Sequence, residues 1–73
     1  MGKRKLNMTN RVKALRAEAG GMTQQELADR VGVTRQTINV IEANKYSPSL
    51  EVAFLIADSL GARLEDVFGF TED

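Results

Sequence analysis

The sequence predicts an all-α fold, a compact bundle of five helices, and three observations support this prediction. Apolar residues recur at spacings of three and four along most of the chain, as they do on one face of a helix. Helix start and stop signals divide the chain into short segments. The apolar and polar residues show no convincing alternation of the kind that is typical of strands. With 73 residues, 42% of them hydrophobic, the chain can form one domain with a modest core.

The first predicted helix covers about residues 10–18. Val12 and Leu15 are three residues apart and therefore share one face. Gly20 and Gly21 follow, and two consecutive glycines end a helix because they readily leave the right-handed conformation.

The second predicted helix begins at Gln24. Thr23 and Glu26 have the spacing of a capping box, in which each side chain binds the backbone N–H of the other residue. Gly32 follows the last turn, where a left-handed residue would close the helix. The apolar face of this helix consists of Leu27, Ala28 and Val31.

The third predicted helix follows after a very short connection. Thr34 is a suitable N-cap, and Ile38 and Ile41 then place one apolar face on a helix that ends near Asn44. The connection, residues 32–34, is too short for a loose hairpin and fits a turn that holds two helices at about 90–120°.

Two further helices complete the predicted bundle. Ser47, Pro48 and Ser49 open the fourth, which Gly61 ends. Its expected buried face consists of Leu50, Ala53, Phe54, Ala57 and Leu60. The fifth covers about residues 64–68, and we expect three of its side chains to fold back on the core, namely Leu64, Val67 and Phe68.

Charge is distributed unevenly although the net charge of the chain is zero. Residues 1–48 contain nine basic and four acidic residues, whereas residues 49–73 contain one basic and six acidic residues. One end therefore attracts phosphate and the other repels it; the alternative is a chance asymmetry of solvated charges. We expect a basic arm over residues 1–8, a folded domain over residues 9–70 and an acidic tail over residues 71–73.

The absence of Cys and His excludes several kinds of site. The usual zinc ligand sets and thiol nucleophiles cannot form, so we expect no metal, no cofactor and no enzymatic activity. Glu65 and Asp66 are adjacent on a helix and point in different directions. No targeting segment is evident, and the longest mostly apolar stretch, residues 52–57, is too short to cross a bilayer. We therefore expect a cytoplasmic protein without a membrane partner.

Residues 24–42, QQELADRVGVTRQTINVIE, resemble the helix-turn-helix of Cro/CI-type (Xre-like) phage and bacterial regulators. Several coupled positions carry the resemblance: Ala28 at the helix crossing, Gly32 in the turn, and an interior set of Leu27, Val31, Val33, Ile38 and Ile41. The resemblance extends to Arg16, Lys45, Pro48 and residues 50–68, so it covers nearly the whole chain from Thr9 onward. It implies a lambda-repressor-like DNA-binding domain.

The resemblance implies that the opening turn of the third helix enters the major groove of double-stranded DNA. Arg can bind guanine through two hydrogen bonds, Gln and Asn can bind adenine in the same way, and Thr and Val methyl groups can contact thymine. The alternative is a merely solvated helix face. The candidate base-reading residues are Arg35, Gln36, Thr37, Asn39 and Val40.

Phosphate contacts are expected around this helix. Gln24 resembles the family position that touches a phosphate and supports the first recognition residue, here Arg35. The loop after the third helix usually grips the DNA backbone in this family. For two of its residues a role without DNA is equally compatible with the sequence: Lys45 as a solvated charge and Tyr46 as a cover over the core. The candidate phosphate-contacting residues are Gln24, Thr34, Lys45, Tyr46, Ser47 and Arg11.

The chain departs from the family pattern in two places. Where the family commonly has Glu-Asn-Gly-Lys, residues 42–45 are Glu-Ala-Asn-Lys, so Ala43 replaces a side-chain amide that often binds phosphate. We expect Asn44 to take the left-handed conformation, which Asn tolerates better than most residues. Arg63 replaces the usual Ser or Thr cap of the fifth helix, which we therefore expect to fray.

Arg16 and Glu42 are the expected structural ion pair. Both occupy positions that meet in folds related by the resemblance, and each flanks the core. A partly buried pair of this kind stabilises the fold rather than the DNA complex.

Three classes of function are compatible with this reading. The first is a transcriptional regulator of the repressor type that binds a palindromic operator as a homodimer. Two copies are expected because a lone recognition helix reads too few base pairs for useful specificity. Val67, Phe68 and Phe70 are the expected dimer interface, unless they only close the core of the monomer. The second is an antitoxin that binds its own promoter and a toxin protein partner. The third, a pure protein-interaction module, is disfavoured by Arg35 and Gln36.

Overall fold

The computed structural model describes residues 4–72. Five helices and two strands follow one another in this part of the chain, and none of these helices is long and apolar enough to cross a membrane. The first helix begins two residues later than predicted, and the fifth ends one residue earlier. The elements are β1 (Leu6–Asn10), α1 (Val12–Glu18), α2 (Gln24–Val31), α3 (Arg35–Glu42), α4 (Leu50–Ser59), α5 (Leu64–Val67) and β2 (Phe68–Glu72).

The all-α prediction is corrected by a small antiparallel sheet formed by β1 and β2. The register runs from Leu6 opposite Glu72 to Asn10 opposite Phe68. Each strand has only five residues, and the partners come from opposite ends of the chain, so no neighbouring hairpin partner marks either strand in the sequence. The expected arm and tail thus contribute residues 6–8 and 71–72 to the sheet, while residues 1–3 and 73 lie outside the described residues.

The start of α2 has the predicted capping box. The Thr23 hydroxyl accepts a hydrogen bond from the Glu26 backbone N–H at 3.0 Å, and the Glu26 carboxylate accepts one from the Thr23 N–H at 2.9 Å. The bond from the Thr23 backbone N–H, together with a smaller contribution from the Thr23 side chain, holds the pKa of Glu26 below its ordinary value. Gly32 ends α2 with a φ of 86°, the left-handed conformation expected from the sequence.

The later helices differ in how they begin. The Thr34 hydroxyl accepts a hydrogen bond from the Thr37 N–H at 3.2 Å, and Ser49 caps α4 in the same way. Arg63 offers no acceptor to the first turn of α5, but its own N–H donates to the Asp66 carboxylate at 3.3 Å. This half of a capping box holds a helix of only four residues.

The core draws side chains from all five helices. Burying each of these large aliphatic groups contributes roughly 1.5–3 kcal/mol to folding. The largest fully buried side chains are Val12, Leu27, Ile38, Ile41, Ile56 and Val67.

The buried face of α4 is rotated from the predicted one. Leu50 and Phe54 were expected in the core but are 69% and 52% exposed, so that part of the prediction is wrong. Ala53 and Ala57 are buried as predicted, Leu60 is half-buried, and Ile56 joins the buried face. The helix is apolar on more than one face, so the spacing rule alone could not choose which stripe meets α2.

Candidate nucleic-acid interface

Helix α3 has one buried and one exposed face. Ile38 and Ile41 are buried against the core, whereas Arg35, Gln36 and Asn39 are exposed. A spacing of three to four residues places these exposed side chains on one surface of the helix. The other two candidate base-reading residues, Thr37 and Val40, are half-buried at the edges of this surface.

The opening turn of α3 is held by Thr34. Its hydroxyl lies 3.0 Å from the Thr37 hydroxyl and also accepts the Thr37 N–H. Thr34 is thus a structural cap, and the Thr37 hydroxyl has a partner within the protein. Arg35 and Gln36 are the long polar side chains of this turn, and both project from the positive end of the helix dipole.

Glu42 lies at the centre of a hydrogen-bonded network that joins three helices. Its carboxylate accepts from Arg16 Nε at 2.7 Å and Nη2 at 3.1 Å, a two-point contact, and from Gln24 Nε2 at 3.1 Å. Arg16 Nη1 also donates to the Met22 carbonyl at 2.8 Å. The Arg16 and Glu42 side chains are 13% and 9% exposed, so the expected ion pair is present and largely withdrawn from water.

Gln24 is half-buried at the start of α2, beside α3. Its amide nitrogen donates to Glu42, whereas the resemblance implies that Gln24 touches a phosphate and supports Arg35. Because the amide NH2 group has two hydrogens, a phosphate contact through it does not require the Glu42 bond to break.

The loop between α3 and α4 is fixed at its beginning and exposed beyond it. Asn44 has a φ of 58°, as predicted for the left-handed position, and its N–H donates to the Ile41 carbonyl at 3.0 Å. The Lys45 N–H donates to the Val40 carbonyl at 2.9 Å. The side chains of Lys45, Tyr46 and Ser47 are exposed, as a backbone-gripping loop requires.

Asn10 is a residue at this interface that sequence reasoning missed. Its amide nitrogen donates to the carbonyl oxygens of Ile41 at 3.1 Å and Glu42 at 3.4 Å, and to Asn44 Oδ1 at 2.9 Å. Its oxygen accepts from the Val12 N–H at 3.1 Å. The sequence suggested only a helix start near this residue, because partners more than 30 positions away leave no local signal.

Arg11 lies apart from this network. Its guanidinium is exposed and pairs with Glu18 at 3.3 Å, while its backbone N–H donates to the Val67 carbonyl at 2.8 Å. An exposed pair of this kind contributes little to stability, so Arg11 remains available to an external anion.

The three expected dimer residues occupy different environments. Val67 is 1% exposed and closes the core of the monomer, which removes it from any free surface. Phe68 is half-buried against the same core. Phe70 is 56% exposed, and it lies opposite Met8 in the sheet.

Comparisons with known proteins identify the same motif. The family model described as helix-turn-helix matches residues 12–67. An uncharacterized HTH-type transcriptional regulator from Archaeoglobus fulgidus is 50% identical over 66 residues, covering 90% of this chain and 92% of the relative. YgzD from Bacillus subtilis, also named an uncharacterized HTH-type transcriptional regulator, is 46% identical and covers 90% of this chain and 98% of its own.

A repressor and a solved structure extend the comparison. The immunity repressor protein of Bacillus phage phi105 is 31% identical over 64 residues, which cover 88% of this chain and 44% of the repressor. A Bacteroides fragilis protein that has been proposed to bind DNA has a crystal structure with a TM-score of 0.75 and 31% identity, covering 85% of this chain and 98% of its own. The chain therefore belongs to the Cro/CI-type helix-turn-helix family of DNA-binding transcriptional regulators.

Proposed function

We propose that the protein is a transcriptional repressor that reads an operator in the major groove through the exposed face of α3. The observation that carries this proposal is the division of α3. Ile38 and Ile41 anchor it in the core, while Arg35, Gln36 and Asn39 project from a helix-turn-helix. A helix with one anchored face presents its other face in a fixed orientation, as base recognition requires.

The exposed side chains have the chemistry of base recognition. Arg35 can donate two hydrogen bonds to guanine O6 and N7, and Gln36 or Asn39 can bind adenine N6 and N7. Val40 and the Thr37 methyl group lie at the edge of this surface, where they can contact a thymine methyl. These contacts form the proposed reading surface and involve no catalytic step.

Phosphate contacts would then set the position of the reading surface. Residues 1–48 carry a net charge of +5, and the exposed Lys45 follows α3 directly. Tyr46, Ser47 and Arg11 offer further donors, and the second hydrogen of the Gln24 amide could bind phosphate while the first stays bound to Glu42. Because DNA is the proposed partner, we propose the cytoplasm as the location of the protein.

A homodimer is the proposed form that binds the operator. Two-fold symmetry would place equivalent half-sites about 34 Å apart, one turn of DNA, and would make the operator palindromic. Since Val67 is buried, the proposed interface shifts to the sheet, where Phe70 is exposed and Phe68 is half-buried.

The sheet has one apolar face that the monomer leaves uncovered. Met8 lies opposite Phe70 in the register of the sheet. Both side chains line a groove of about 480 Å³, which Leu50 also lines. Leu64 and Phe68 also line the groove, so a second copy related by two-fold symmetry would cover these apolar side chains with the same apolar side chains. A second copy of this chain is therefore the proposed occupant.

Replacing Arg35 by Ala should weaken binding to the selected operator by about 1–3 kcal/mol, because a two-point contact to guanine is lost. Binding is measured by fluorescence anisotropy with the operator and with variants at each base pair. The preference for G·C at one position should disappear, while binding to unrelated DNA changes little.

Arg63→Ala is the matched control for this measurement, because it removes an exposed arginine that lies at the start of α5. It should leave the operator preference intact. Equal losses in the two variants, or an unchanged base preference in Arg35→Ala, would contradict the assignment of Arg35.

A further inference from the structure

Asn10 lies where the terminal sheet meets the end of α3. It is the last residue of β1, and its side chain is half-buried. The side-chain nitrogen donates hydrogen bonds to three acceptors at or just beyond the C-terminus of α3. Its oxygen meanwhile caps the first N–H of α1. One side chain therefore joins the end of β1 and the start of α1 to the end of α3, which lies more than 30 residues further along the chain.

Only an amide can make this set of bonds. The nitrogen donates to carbonyl groups in the last turn of a helix, which lack the usual N–H partner four residues further on, and the oxygen accepts from a helix N-terminus. An Asp side chain keeps the acceptor for Val12 but loses every donor. The two functions of Asn10 can consequently be separated by substitution.

A depression of about 340 Å³ lies between β1 and the α3–α4 loop, lined by Met8 and Phe68 from the sheet and by Tyr46 and Ser47 from the loop. Asn10 bonds to Asn44, the second residue of this exposed loop. The amide is thus a direct polar link across the boundary of the depression.

We propose that Asn10 is a positioning residue that fixes α3 and the loop after it relative to the terminal sheet. The inference rests on the proposed homodimer, in which the sheet is the interface and α3 reads DNA. In that dimer, the Asn10 bonds hold the two reading surfaces at one separation. Asn10 thus controls which spacing between half-sites the dimer prefers. It does not control which bases are read within each half-site.

The test compares wild-type protein with Asn10→Asp and Asn44→Gly. Binding is measured to the selected operator and to duplexes whose half-sites are one base pair closer together or further apart. Asn10→Asp should bind the best spacing roughly 3- to 10-fold more weakly and discriminate less between spacings, with base preferences retained. Asn44→Gly removes only the bond between the Asn10 and Asn44 side chains, and glycine readily adopts the left-handed conformation of this position. This variant should therefore show a smaller change in the same direction.

Asp58→Asn, on an exposed residue of α4 outside the sheet, is the matched control and should leave the spacing profile unchanged. Hydrogen exchange in the free protein gives a second readout, because the Asn44 and Lys45 amides should exchange faster in Asn10→Asp. Superimposable spacing profiles, or unchanged exchange at both amides, would overturn the inference even if the melting temperature falls. A wild-type protein that selects no paired half-sites would instead refute the proposed homodimer.

Discussion

Replacing Glu42 by Ala should lower the free energy of unfolding by about 3 kcal/mol, near the lower end of the range for breaking a buried ion pair. The substitution leaves Arg16 with a largely buried charge and removes the acceptor of Gln24. In a domain of this size, such a loss lowers the melting temperature by roughly 10–20 °C. Thermal unfolding followed by circular dichroism measures it directly.

Glu18→Ala is the matched control, because Glu18 pairs with Arg11 on the surface and is 64% exposed. Its effect should stay below about 1 kcal/mol. Glu42→Gln keeps an acceptor for Arg16 and should fall between the two. DNA binding by the Glu42→Ala protein should persist well below its melting temperature, and an unchanged melting temperature would refute the structural role of the pair.

Replacing Phe70 by Ser should convert the protein to a monomer and weaken binding to a two-half-site operator by about 100-fold or more. The size of the effect arises because each reading surface then binds its half-site independently. The fold should survive, since Phe70 is 56% exposed and its cross-strand contact with Met8 contributes only about 0.2–1 kcal/mol. Sedimentation equilibrium gives the mass, and anisotropy gives the affinity.

Leu55→Ser provides the comparison for this experiment. Leu55 is an exposed apolar residue of α4 that does not line the groove beside the sheet. The variant should remain dimeric and bind the operator like wild-type protein. A dimeric Phe70→Ser protein, or a wild-type monomer that occupies the full operator with unreduced affinity, would contradict the proposed interface.

The local features of the fold were predictable because their determinants lie within a few residues of one another. Thr23 and Glu26 fixed the start of α2, and Gly32 fixed its end. Thr34 located the start of α3 in the same way. Asn44 took the left-handed conformation that its neighbours required.

The features that were missed depend on contacts between distant residues. Pairing of Met8 with Phe70 involves opposite ends of the chain, so neither strand could be recognised alone. Leu50 and Phe54 belong to a helix that is apolar on several faces, and only packing against α2 decides which face is buried.

The candidate site also has some features that are set by neighbouring residues and others that depend on distant contacts. Exposure of Arg35 and Gln36 follows from the helical spacing of Ile38 and Ile41, which the sequence contains. The link from Asn10 to the loop does not, because it depends on how the terminal sheet packs beside α3. Sequence therefore locates the reading helix, whereas the structure reveals what holds it in place.

DNA reading by α3 can be tested by selecting a random duplex DNA library with the wild-type protein and following affinity across salt concentrations. We expect enrichment of a palindromic site with half-sites about one turn of DNA apart. We also expect affinity to fall steeply as salt increases, because lysine and arginine contacts to phosphate release counterions. Absence of any enriched sequence, together with weak binding even at low salt, would contradict DNA reading by α3 and favour a protein partner.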